Sequence, residues 1–118
     1  MAGPAYYLGV DIGTTSTKAV LFNKTGGILA SEAIFYPLHT PTPLTAEQDP
    51  EVIFRAVLVT VRETMRKSAI DPASLKLVSF SSAMHSLIAV GAEGELLSRI
   101  ITWADSRAAK QAVRIQEE

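Results

Sequence analysis

From Tyr6 to Ile12 the chain is dense in aromatic and β-branched side chains, and the run stops at Gly13-Thr14-Thr15-Ser16, which predicts a buried strand entering a turn. Residues 18–22 form a second apolar run, and Ile28–Phe35 a third. Between them, Asn23-Lys24-Thr25-Gly26-Gly27 has the composition of a hairpin turn, with two glycines able to take positive φ. Three consecutive antiparallel strands are therefore expected. Prolines at 37, 41 and 43 cannot donate to a sheet ladder and restrict the residues before them, so 36–49 is expected to be an exposed loop. Asp49-Pro50-Glu51 then opens a helix, with an acceptor for free N–H groups, a proline where its missing donor costs nothing, and an acid facing the dipole.

Apolar Phe54, Val57, Leu58, Val61 and Met65 recur at three- and four-residue steps, while Arg55, Arg62, Glu63, Arg66 and Lys67 fill much of the remainder. The pattern predicts an amphipathic helix ending near Ser68. After a turn at Ile70-Asp71-Pro72-Ala73-Ser74, residues 75–80 read as a strand that follows a helix and is thus free to run parallel to an earlier one. Residues 87–90, a turn around Glu93-Gly94-Glu95, and 96–103 suggest a second hairpin. Asp105 is placed to cap a final helix through Ala109, Ala112 and Val113. That helical pattern runs to Ile115-Gln116-Glu117-Glu118 with no stop signal, so it is expected to continue beyond. Three antiparallel strands, a helix, a further strand, a hairpin and a helix make an α/β fold.

Composition narrows the function classes. The 118 residues include 11 basic and 12 acidic side chains, a formal charge of -1, which argues against nucleic acid as the main partner because phosphate neutralisation needs a cationic excess. Hydrophobic residues at 47% and charged ones at 19% fit one globular domain, or a piece of one, and not a disordered chain. No apolar stretch approaches the roughly 20 residues of a membrane helix, so no membrane partner is expected. The N-terminus has no basic residue before its first apolar run, unlike a secretory signal, and the absence of cysteine removes disulfides, thiolate metal sites and cysteine nucleophiles. A cytoplasmic location suits such a chain.

The chemistry concentrates in Asp11-Ile12-Gly13-Thr14-Thr15-Ser16-Thr17-Lys18: a carboxylate ending a strand, a glycine, four consecutive hydroxyls and a cation. A strand-ending carboxylate can hold Mg²⁺, often through water, because that ion prefers octahedral oxygen and dehydrates reluctantly. Gly13 allows close backbone approach. Turn N–H groups and the hydroxyls of Thr14, Thr15 and Ser16 can donate to phosphate oxygens, and Lys18 adds charge. The stretch lacks the G-x-x-x-x-G-K spacing of a P-loop and leads into a strand where that loop leads into a helix. A plain hairpin turn with a solvated aspartate is the alternative.

An apolar strand running into this turn, followed by two more strands and a helix, resembles the phosphate-binding start of the actin and hexokinase superfamily, whose domains have a ribonuclease-H-like core. Within it, the chain looks like the N-terminal part of an FGGY-family carbohydrate kinase. Four landmarks in order carry the resemblance: Asp11 through Lys18, the acidic helix lead-in Glu47-Gln48-Asp49-Pro50, the pair Met84-His85, and Trp103-Ala104-Asp105-x-Arg107. The resemblance implies ATP and Mg²⁺ as cofactors, with Asp11 organising the metal and Gly13, Thr14, Thr15, Ser16 and Lys18 at the ATP phosphates. It also implies a sugar or sugar-acid site lined by Met84, His85, Trp103 and Asp105. Thioether and imidazole suit a polyol, one packing on its carbons and the other bonding its hydroxyls.

Each of these residues also has a structural reading. Met84 and His85 could be a core methionine and a backbone-satisfied histidine, Trp103 a core residue, and Asp105 a helix cap. His39 in the proline-rich loop is expected to be solvated.

Ser81-Ser82-Ala83-Met84-His85-Ser86-Leu87 looks more like gluconate kinases than xylulose kinases, which usually show Gln before and Gly after the Met-His pair. Glycerol kinases carry an Arg-Glu pair there, which this chain lacks. The implied reaction is ATP-dependent phosphorylation of D-gluconate, with D-xylulose the second candidate and a non-catalytic, actin-like nucleotide-binding scaffold the rival of another class. The catalytic base and the adenosine pocket of such an enzyme would lie beyond Glu118, which makes the chain a truncated, inactive portion on this reading. Oligomeric state is not legible in this stretch, and a homodimer stays open.

Overall fold

The computed structural model describes residues 3–117. Met1 and Ala2, at the start of the N-terminal reading, and Glu118, at the end of the last helical pattern, lie outside the described residues. Two compact units divide the chain: one built from the stretch up to Tyr36 and Glu51–Ala83, the other from Pro37–Pro50 and the stretch from Met84 onward.

In the first unit, β1 (Tyr6–Ile12), β2 (Ser16–Asn23) and β3 (Ile28–Phe35) form the expected antiparallel meander. The second of these begins at Ser16 rather than Lys18. The β2–β3 turn works as its composition suggests. Asn23 Oδ1 accepts from Thr25 N–H at 3.0 Å and Gly27 N–H at 2.8 Å, and Gly26 sits at φ 83°, where a side chain would be strained.

Helix α1 (Pro50–Ser68) carries the chain across, so the strand after it runs parallel to β1. In chain order that strand is β5 (Leu75–Ser82), and the sheet order is β3-β2-β1-β5.

Alternation along β1 and β2 turns Leu8, Val10, Ala19 and Leu21 to one face, where they form the core cluster. Burying each leucine there contributes about 1.5–3 kcal/mol. Val57, Val61 and Met65 of α1 pack on that cluster as the periodicity predicts. Phe54 and Leu58, from the same apolar set, do not: they are 60% and 55% exposed. The row that α1 presses inward is instead Ala56, Thr60 and Thr64, spaced four apart and all buried. Small side chains let the helix approach closely, and the threonine hydroxyls find carbonyls. Thr60 Oγ1 donates to Ala56 O at 2.8 Å within the helix, and Thr64 Oγ1 donates to Ala19 O of β2 at 3.4 Å.

The 36–49 stretch, which lies in the second unit from Pro37 on, departs from the exposed loop expected of it. Thr45, Ala46 and Gln48 are buried, and Glu47–Gln48 forms a short strand, β4, antiparallel to β6 (Ile100–Ile101). His39 pairs with Glu47 through two backbone bonds, His39 N–H to Glu47 O at 2.7 Å and Glu47 N–H to His39 O at 2.9 Å, while its side chain stays exposed. The prolines keep 37, 41 and 43 out of any ladder, but the non-proline positions between and after them remain free to pair.

Of the expected 87–103 hairpin the structure keeps isolated bridges, Val90 to Leu96 and Leu87 to Ile101, and the other edge of Ile100–Ile101 pairs with β4. The final helix, α2 (Ala109–Glu117), begins beyond Asp105, so Asp105 does not cap it. Among the described residues, no helix is long and apolar enough to cross a membrane.

Candidate functional site

The turn between β1 and β2 is set by the register of the ladder. Ile12 faces Thr17 and Asp11 faces Lys18, leaving 13–16 as the loop, closed by Gly13 N–H donating to Ser16 O at 2.9 Å. A Cβ on Gly13 would lie 3.1 Å from that same Ser16 oxygen, tight enough that the backbone would have to give, which is the physical reason for glycine here. Parallel pairing extends past the end of β5, with Ala83 N–H donating to Ile12 O at 2.9 Å, so the strand leading into the turn is held on both sides.

Strand alternation separates the motif's side chains. Thr17 turns to the helix-covered face and is fully buried, whereas Asp11 and Lys18, opposite each other, are exposed on the other face. Both border a shallow, largely apolar trough of about 280 Å³ that also takes in Gly9, Val20, Phe22 and Ser79. Thr15 is exposed, and Thr14 and Ser16 are half-buried. Of the four consecutive hydroxyls, three therefore stay with the turn and one belongs to the core.

That fourth hydroxyl leads to a residue the sequence did not single out. Tyr36, the residue after β3 and only 7% exposed, donates its phenolic hydrogen to Gly13 O at 2.6 Å. Its oxygen lies 3.1 Å from Thr17 Oγ1; with the phenolic proton committed to Gly13, the threonine is the donor there. Tyr36 N–H also donates to Thr15 O at 3.1 Å. Burial pushes the phenol above its ordinary pKa, against a smaller opposing effect of the Thr17 bond, so the hydroxyl remains a donor at neutral pH.

In the second unit, Met84 is 72% exposed, and His85 is exposed with φ 60°. The left-handed conformation costs a non-glycine residue about 1–2 kcal/mol. Trp103, at 60% exposure, is not a core residue. Asp105 is differently engaged: its Oδ2 accepts from Ala46 N–H at 2.9 Å, and both carboxylate oxygens accept from Arg107 Nε at 3.0 Å. Arg107 reaches on to Glu47 Oε1 at 2.6 Å. The Arg107 bond, with the Ala46 N–H second, holds the Asp105 carboxyl at about 2, well below the usual range. Thr102 supports the same link, its Oγ1 donating to Ala46 O at 2.9 Å. The acidic lead-in and the Trp103 to Arg107 landmark, read as separate signals in the sequence, are thus one hydrogen-bonded clamp.

Among the described residues, no group of three or more His, Asp or Glu side chains could hold a metal ion by itself. The single exposed carboxylate of Asp11, at the strand end before the turn, fits an ion that keeps most of its water or phosphate oxygens, as Mg²⁺ does, and not one held by protein ligands alone.

Residues 6–118 match the model of the FGGY family of carbohydrate kinases, N-terminal domain. The chain belongs to this family. A gluconokinase from Bacillus subtilis (strain 168) is 50% identical over 97% of the chain, which spans 22% of that relative. Among solved structures, a gluconate kinase from Lactobacillus acidophilus superposes with a TM-score of 0.85 at 41% identity, over 98% of this chain and 23% of that one. A ligand-bound xylulose kinase from the same organism gives 0.82 at 42% identity, over 96% and 22%. The α/β architecture expected from the strand and helix pattern is the one these kinases share with this FGGY chain. The chain spans less than a quarter of the length of each.

Proposed function

We propose that this FGGY domain serves an ATP-dependent sugar-acid kinase, in a polypeptide of its relatives' length, that moves the γ-phosphoryl group of ATP to a hydroxyl of D-gluconate. The supporting observation is the β1–β2 turn: a glycine-tightened loop bearing Thr14, Thr15 and Ser16, flanked on one exposed face by Asp11 and Lys18. Such transfer is mostly positioning and charge neutralisation. Turn N–H groups and hydroxyls would hold the phosphates, Lys18 would add positive charge, and Asp11 would hold Mg²⁺, which neutralises charge on the transferred group when bound. Met84 and Trp103 offer exposed apolar surface for a polyol's carbon skeleton, and His85 a bonding group for its hydroxyls. Asp105, occupied by Ala46 and Arg107, would serve that pocket by fixing the Trp103 segment as much as by touching substrate.

Gluconate is favoured over D-xylulose by the Ser81-Ser82-Ala83-Met84-His85-Ser86-Leu87 stretch and by the 50% identity to a gluconokinase. D-Xylulose is the second reading, supported by the 42% identity to a solved xylulose kinase. A coupled assay of the full-length protein with gluconate, xylulose and glycerol tests the choice. Turnover greatest with gluconate supports the first reading, and turnover greatest with xylulose the second. ATP binding with no turnover of any would point to a non-catalytic scaffold. The 118-residue chain alone is expected to be inactive, its base and adenosine pocket lying in the remainder; phosphorylation of gluconate by the purified chain would refute that. A cytoplasmic enzyme acting on small molecules, without nucleic acid or membrane, completes the proposal.

A further inference from the structure

We infer that Tyr36 is a positioning residue for the nucleotide: it sets the orientation of the backbone donors in the 13–16 turn. The inference rests on the reading of that turn as a phosphate site. A trans peptide is planar, with its C=O and the following N–H pointing in opposite directions, so fixing one fixes the other. Tyr36 fixes two such carbonyls. Its hydroxyl donates to Gly13 O at 2.6 Å and its N–H donates to Thr15 O at 3.1 Å. The Thr14 N–H is thereby aimed away from the tyrosine ring, and the Ser16 N–H away from the β3 edge.

Thr17 completes the device. Fully buried, it lies 3.1 Å from the tyrosine oxygen, and with the phenolic proton on Gly13 O it donates there and helps hold the ring in place. Without this network a turn of one glycine and three small hydroxyl residues has many accessible backbone states, and ordering it would fall on the ligand. With it, the donors are set before nucleotide arrives. The residue is 23 positions from the carbonyl it holds, which is why the local motif gives no hint of it.

The test uses the full-length kinase and two variants, Tyr36→Phe and Thr17→Val, with ATP and gluconate affinity read separately by calorimetry. Tyr36→Phe keeps the ring and the N–H bond and removes only the hydroxyl. It is expected to weaken MgATP binding about tenfold while gluconate affinity stays within about twofold, with Thr17→Val showing the same selective loss to a smaller extent. A purely structural role would lower the melting temperature and affect both ligands alike, and that result overturns the inference. Thr14→Ala and Ser16→Ala separate this inference from the reading beneath it. If they weaken ATP binding while Tyr36→Phe and Thr17→Val do not, the positioning role is wrong and the phosphate site stands. If all four leave ATP binding unchanged, the phosphate site itself is wrong. Should Tyr36→Phe fail to fold, Thr17→Val decides by the same split.

Discussion

The two units hold their candidate functional residues on different kinds of scaffold. In the first, Asp11 and Lys18 sit on a continuous ladder of seven residue pairs, closed at its turn by a backbone bond and braced by Tyr36. In the second, the segment between Met84 and Ile101 has only isolated bridges and a two-residue ladder, and Trp103 is followed by a side-chain clamp of Asp105, Arg107 and Glu47. A ladder fixes the backbone on both sides of a turn, which would suit the proposed triphosphate ligand, the same in every turnover. A clamp fixes a few points and leaves the side chains between them free to differ, which would suit the proposed polyol pocket.

That contrast predicts separable losses in the full-length enzyme. The largest is expected for Asp11→Asn, which keeps shape and removes the charge: turnover should fall about a hundredfold with little change in gluconate binding. An equal loss in turnover and gluconate affinity, from steady-state kinetics, would break the division of labour. His85→Ala should be smaller and opposite in kind, raising the gluconate requirement about tenfold while leaving ATP binding nearly unchanged. Collapse of ATP binding as well would mark His85 as structural.

The smallest expected effect is on acid stability, and it belongs to the clamp. Because the folded Asp105 carboxyl is depressed from its ordinary 3.8 to about 2, its contribution is fully present above 3.8 and is lost as the pH falls through about 2. Trp103 is the single tryptophan of these 118 residues and lies two residues from Asp105, so in this chain its fluorescence follows this region. Thermal melts followed at Trp103 should drop in midpoint across that window in the wild-type chain and show a smaller drop in Asp105→Asn. The same drop in both would remove Asp105 as its source.

The scaffolds also differ in how far sequence reveals them. The three-strand meander, α1 and the strand after it follow from local patterns: alternation, glycine turns, a proline-led helix start; that this strand pairs parallel with β1 is a distant pairing the sequence left open. The candidate phosphate turn is legible for the same reason, since all its parts lie within eight residues. What the sequence hides is distant pairing. Nothing local in the proline-rich stretch announces that Glu47 and Gln48 pair with Ile101 and Ile100, or that Ala46 N–H is the partner of Asp105. The inward row of α1 escapes for another reason: threonines count as polar in a periodicity, although Thr60 and Thr64 are fully buried with their hydroxyls satisfied on carbonyls. Tyr36 is missed on both grounds, being distant from the turn and polar only at its tip.

The most direct test of the account is a crystal structure of the full-length protein with MgATP or a non-hydrolysable analogue. It should place the phosphates within hydrogen-bond distance of the backbone and hydroxyls of Thr14, Thr15 and Ser16, with the metal beside Asp11. Phosphates bound elsewhere, with the 13–16 turn facing only solvent, would contradict it.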